Sequence, residues 1–169
     1  MSEQQQSDVF SDWMGTYKGV VFKIVRSYAD TTMDREDLFQ DIALQIWRSI
    51  PSFRDQSAPI TWIYRVALNT AITWIRREKR RSPTEDIEKV QHVLTENPHT
   101  AYNDQLTWLY REIHHLDKID RSITLLLLDE MSYKDIAAIL GISESNVAVK
   151  IHRIKKQLIV KSKTYQYGI

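Results

Sequence analysis

The chain has 169 residues, with 23 Lys and Arg against 22 Asp and Glu, for a formal net charge of +1. Hydrophobic residues at 43% suffice for a packed core, which excludes wholesale disorder, and the absence of cysteine excludes disulfides, thiolate metal sites and thiol redox chemistry. Four Gly and four Pro are too few for a turn-rich β-sandwich, and no apolar run approaches the ~20 residues of a membrane span.

In chain order, Met1 to Ser7 lacks the basic and apolar regions of a signal peptide, so a cytoplasmic protein without membrane insertion is expected. The periodicity predicts helices over 8–29, 34–50 and 59–80, with Asp34 capping the second and Pro51 stopping it. Pro51 and Pro59 bracket a polar loop. Ser82 and Pro83 break the third helix, and the acidic, weakly periodic stretch 82–104 reads as a linker. Fully extended at ~3.3 Å per residue, it reaches roughly 75 Å. Helices are then predicted over 105–116, 120–129, 132–140 and 143–161. The expected fold is all-α: two small helical domains, 8–81 and 105–161, joined by the acidic linker 82–104.

The sharpest motif runs from Met131 to Arg153. Ser132 caps a short helix, Gly141 stands where the turn needs a left-handed backbone, and Ser143 caps the next helix. With small Ala137 at the crossing, this is the frame of a helix-turn-helix. At 100° per residue, Val147, Ile151, Ile154 and Leu158 form the inward stripe of the last helix. Ser145, Asn146, Val149, His152, Arg153 and Lys156 point outward, with types suited to base edges and phosphates. Glu144 suits either a cytosine amine or the helix dipole. A generic helical hairpin with a wet basic face is the plain alternative. His114 and His115, adjacent and facing apart, make no metal-ligand set.

On the third helix, Trp62, Arg65, Asn69, Thr73, Arg76 and Arg80 share about 80° of arc, while Ile63, Ala67, Thr70, Ala71 and Trp74 lie opposite. The first group suits stacking on unpaired bases with cations on phosphates. Trp62 is equally readable as packing at the rim of the core. On the second helix, Leu38, Phe39, Ile42, Ala43 and Ile46 face inward. Asp37, Gln40, Asp41, Leu44, Trp47 and Arg48 lie on the other side, either a protein-docking patch or an ordinary surface with one exposed leucine.

Net charge conceals a pattern. By segment, 1–59 carries −3, 60–81 carries +5, 82–108 carries −4, 109–141 carries −2 and 142–169 carries +5. Both basic clusters end predicted helices, where the macrodipole alone favours cations. Their coincidence with two faces suited to DNA favours nucleic acid as the partner.

Glu36 to Trp47, Ser52 to Arg54 and Thr61 to Arg77 together resemble the second conserved region of bacterial extracytoplasmic-function (ECF) sigma factors. Tyr133 to Arg153 resembles their fourth region. The resemblance covers roughly 15–81 and 105–160, in the family's order and spacing. It implies a region 2-like helical bundle and a region 4-like helix-turn-helix domain in a dissociable subunit of RNA polymerase.

By that resemblance, Asp37, Gln40, Asp41, Leu44 and Trp47 would dock on the clamp coiled coil of β′, the core polymerase being engaged through its β and β′ subunits. Arg54 in the loop and Trp62, Arg65, Asn69 and Thr73 would meet the melted −10 element, with Arg76, Arg77, Lys79 and Arg80 on its phosphates. Ser143, Glu144, Ser145, Asn146, Val149, Lys150, His152, Arg153 and Lys156 would read the −35 element. The acidic linker would thread the polymerase channels, and an anti-sigma factor would regulate the chain.

The chain departs from the family's wording at Asp117–Ser122, and at Ile154 and Lys155, where an Arg-Ala pair often stands. No additional helical domain fits between Arg81 and Leu106. The competing function is a stand-alone helix-turn-helix regulator, which would normally dimerise; no heptad or second apolar seam is evident. Enzymatic activity is not expected, since no phosphate loop, nucleophile elbow or metal motif is present. No cofactor, metal or small-molecule substrate is expected either.

Overall fold

The computed structural model describes the backbone of residues 1–81 and 101–167, and the side chains of 1–78 and 104–165. The predicted linker lies outside the described residues except for its last four positions, which are helical. The described residues form seven α-helices, and no strand occurs among them. The chain divides into two compact units, Met1–His99 and Thr100–Ile169.

In the first unit, α1 (Glu3–Tyr28), α2 (Thr32–Ser49) and α3 (Pro59–Arg81) pack against one another. Helix α1 starts five residues before the predicted position because Ser2 and Gln5 form a capping box. The Ser2 hydroxyl accepts from the Gln5 N–H, and the Ser2 N–H donates to the Gln5 side chain at 2.8 Å. The cap of α2 is Thr31, not Asp34: the Thr31 hydroxyl accepts from the Asp34 N–H at 3.1 Å. Asp34 falls in the first turn, where its charge suits the macrodipole. Pro51 sits in a short 3₁₀ turn, Ile50–Ser52, and Pro59 opens α3, where its missing N–H costs nothing.

The core of this unit takes in the predicted stripes of α2 and α3: Leu38, Ile42, Ile46 and Ile63 are fully enclosed, and so are Ile24 of α1 and Leu68 of α3, which lie in no predicted stripe. Phe39, Ala43 and Thr70 lie at its margin, half-buried.

In the second unit, α5 (Lys118–Leu128) packs on α4 (Ala101–His114), α6 (Tyr133–Leu140) and α7 (Glu144–Tyr167), and α6 also packs on α7. Asp117 caps α5, accepting from the N–H groups of Ile119 and Asp120 at 2.9 and 3.0 Å. Ser132 caps α6 as expected. Gly141 has φ 68° and ψ 33°, and its N–H and that of Ile142 both reach the Ala137 carbonyl, closing α6 and turning the chain into α7. Ser143 accepts from the Asn146 N–H at 3.2 Å. Val147, Ile151 and Ile154 are buried against α5 and α6, and Leu158 is half-buried. Helix α7 runs past the predicted 161 because nothing breaks it before Tyr167. Lys161 pairs there with Glu112 of α4 at 2.6 Å, and the Tyr165 ring lies 5.7 Å from Trp108.

Candidate nucleic-acid interface

On α3, burying Ile63, Ala67, Ala71 and Trp74 turns Arg65, Asn69, Thr73 and Arg76 outward, all exposed on one face. Arg54 is exposed in the preceding loop, where Asp55 adopts a positive φ of 53°. Trp62 is half-buried and packs edge-on against Trp13 of α1 and Phe53, at centroid distances of 5.6 and 5.5 Å. Trp13 and Phe53 lie 5.1 Å apart, so the three rings make one cluster tying α1 and the loop to the start of α3. Trp62 is therefore packing, yet its ring is not fully enclosed. The side chains of Lys79 and Arg80 lie outside the described residues.

Two expected docking residues on α2 are held by α3. The indole N–H of Trp74 donates to Asp37 at 3.0 Å, and Arg77 pairs with Asp41 at 2.6 Å. That bond to Asp41, outweighing a small burial effect and joined by the nearby Asp41, Asp37 and Glu78 charges, pushes the Arg77 guanidinium up from its ordinary value. Arg77 thus occupies the shoulder of α3 that faces α2, not the Arg65–Asn69–Arg76 face. Leu44 and Gln40 are exposed beside these pairs. Trp47 is half-buried, its ring 5.4 Å from Phe10, and its carbonyl accepts from Gln6 at 2.7 Å.

On α7, Ser143, Glu144, Ser145, Asn146, Val149, His152, Arg153 and Lys156 are all exposed, Val149 at 68%. Lys150 is half-buried on one shoulder. Its ammonium lies 2.7 Å from one oxygen of Asp120, while Arg153 lies 2.6 Å from the other. Asp120 belongs to the first turn of α5 and is only 5% exposed. Its role was not legible from the sequence, which placed Asp117–Ser122 only as a departure from familiar wording. Next to it, burial pushes the Asp117 carboxyl up, but its two cap bonds and the Lys150 and Arg153 charges hold it below the ordinary aspartate value. Ile154 is 3% exposed and packs inward.

Residues 13–81 match the family model Sigma-70 region 2, and 106–158 match Sigma-70, region 4. The chain is 30% identical to the ECF RNA polymerase sigma-E factor of Haemophilus influenzae, over 92% of this chain and 88% of that protein. The chain belongs to the ECF RNA polymerase sigma factors. The sigma-E factor of Escherichia coli K12 is also 30% identical, over 84% of this chain and 80% of its own.

Two solved structures share the fold of this sigma factor. One is the sigma factor RpoE in complex with the anti-sigma factor NepR from Bartonella quintana, with a TM-score of 0.70 at 20% identity, covering 88% of this chain and 93% of that one. The other is CnrH in complex with the cytosolic domain of CnrY, with a TM-score of 0.68 at 19% identity, covering 94% and 90%. A sigma factor directs promoter-specific transcription by RNA polymerase, and this assignment displaces the stand-alone regulator. Sigma factors are non-enzymatic initiation factors. Among the described residues, no helix is long and apolar enough to cross a membrane.

Proposed function

We infer that this sigma factor works through three surfaces on two units. The outer face of α2, with Asp37, Gln40, Asp41, Leu44 and Trp47, docks on the β′ clamp of core polymerase, with β completing the contact. The α3 face of Arg65, Asn69, Thr73 and Arg76, with Arg54, Trp62, Arg77, Lys79 and Arg80, engages the melted −10 element. The exposed face of α7, from Ser143 to Lys156, enters the major groove of the −35 element, Asn146 and Arg153 being the side chains suited to base edges. The chain acts in the cytoplasm, carries out no reaction of its own, needs no cofactor, and is held in check by an anti-sigma factor, as suggested by the similar sigma factor RpoE solved with the anti-sigma factor NepR.

The observation that carries this reading is the exposure of two cation-and-amide faces, on α3 and on α7, each on a helix whose opposite face packs into a core. The test is run-off transcription from a genomic promoter pool by core polymerase with and without the purified chain. Initiation from a defined subset sharing −10 and −35 elements is expected only with the chain. Unselective initiation overturns the reading.

A further inference from the structure

Asp120 is the most buried carboxylate among the described residues and both its oxygens are taken by cations of α7. A carboxylate this deep is costly to desolvate and is kept only with good partners. Gluing α5 to α7 does not explain it. Val147, Ile151 and Ile154 already make that contact through apolar burial, and apolar replacements of buried ion pairs are often as stable or more so. What a buried pair does supply is position.

Lys150 and Arg153, three apart, rise from one shoulder of α7, about 70° and about 130° from the centre of its buried stripe. Both side chains are long and would otherwise sample many rotamers, so that fixing either costs entropy. Asp120 holds both at once. Arg153 nevertheless stays 61% exposed, and a guanidinium has five donors of which this contact uses a single nitrogen's. The side chain is therefore fixed at one edge while other donors face outward. The same carboxylate offsets cationic charge that would otherwise seek any phosphate. Asp117, alongside, adds a second negative charge to that shoulder.

We propose that Asp120 is a positioning residue for −35 recognition: it sets Arg153 and Lys150 in place for base-edge contact and restrains their sequence-independent attraction to DNA. This rests on the assignment of α7 to the −35 element.

The experiment uses holoenzyme reconstituted from core polymerase and the full chain. Two duplexes are compared across a salt series: a promoter selected in the run-off pool, and the same promoter with its −35 element scrambled. Asp120→Asn is expected to tighten binding to the scrambled duplex, to reduce the preference for the native one by roughly five- to tenfold, and to steepen the log–log salt slope by about one. Glu130→Gln removes an exposed negative charge from the same unit and is expected to change neither. In a Lys150→Gln/Arg153→Gln background, Asp120→Asn is expected to add nothing. Asp120→Ser makes the same comparison if the Asn variant fails to fold by circular dichroism.

A folded Asp120 variant matching Glu130→Gln overturns the proposal. So does a loss of equal size in the doubly substituted background, which would mark Asp120 as merely structural. A wild-type holoenzyme indifferent to the scrambled −35 element overturns the α7 assignment instead, and the salt slope alone then decides whether Asp120 restrains the two cations.

Discussion

Gly141 shows how much a single backbone angle carries. Its φ of 68° closes α6 and redirects the chain into α7, and a Cβ built there meets nothing within 4 Å. The cost of a side chain is thus conformational and not steric crowding. Gly141→Ala is expected to destabilise the second unit by about 1–2 kcal/mol, the usual penalty for an L-residue in the left-handed region. Gly141→Asn should lose less, because Asn tolerates that region. Hydrogen exchange of the α6 and α7 amides measures both, and equal protection in all three proteins would refute the account. This glycine and the caps Ser132 and Ser143 were legible because a cap is decided by residues within one turn. Thr31 was missed for the same local reason: two candidate caps stand three apart, and the one whose oxygen meets the other's N–H prevails.

At the scale of the helix, periodicity reveals which face turns inward but not which residue of another helix meets its shoulder. The stripes of α2, α3 and α7 are legible; the pairs Asp37–Trp74, Asp41–Arg77 and Asp120–Lys150/Arg153 are not, since their partners lie 30 to 37 residues apart. This bears on how the docking face of α2 is probed. Replacing Asp37 or Asp41 also removes a bond to α3, so polymerase binding and folding change together. Leu44 is 44% exposed and belongs to neither pair. Leu44→Asp is expected to abolish co-purification with core polymerase while shifting the chain's own stability by no more than about 0.5 kcal/mol, as for surface substitutions generally. Undiminished co-purification would remove α2 as the docking helix.

For the whole molecule, the net charge of +1 divides into two segments of +5, one spanning α3 and one containing α7, with −6 between them and −3 ahead of the first. Within each unit the described cations are further offset by carboxylates of neighbouring helices, Arg77 by Asp41, Lys150 and Arg153 by Asp120, and Lys161 by Glu112. Such a chain has enough local positive charge to hold a few phosphates once placed on DNA, and too little overall to accumulate there unaided. The free chain is expected to bind duplex DNA only in the non-specific range, about 10⁻⁴–10⁻⁶ M at physiological salt. If about five phosphates are engaged, at a slope of about −0.9 each, that affinity falls by roughly two to three orders of magnitude between about 50 and 200 mM salt. The holoenzyme should keep its promoter preference across that range, because polymerase supplies the encounter and the α3 and α7 faces then supply the selection. A parallel salt titration of free chain and holoenzyme on one promoter decides the matter. Promoter selection by the free chain at physiological salt would show that the charge pattern does not make recognition depend on polymerase.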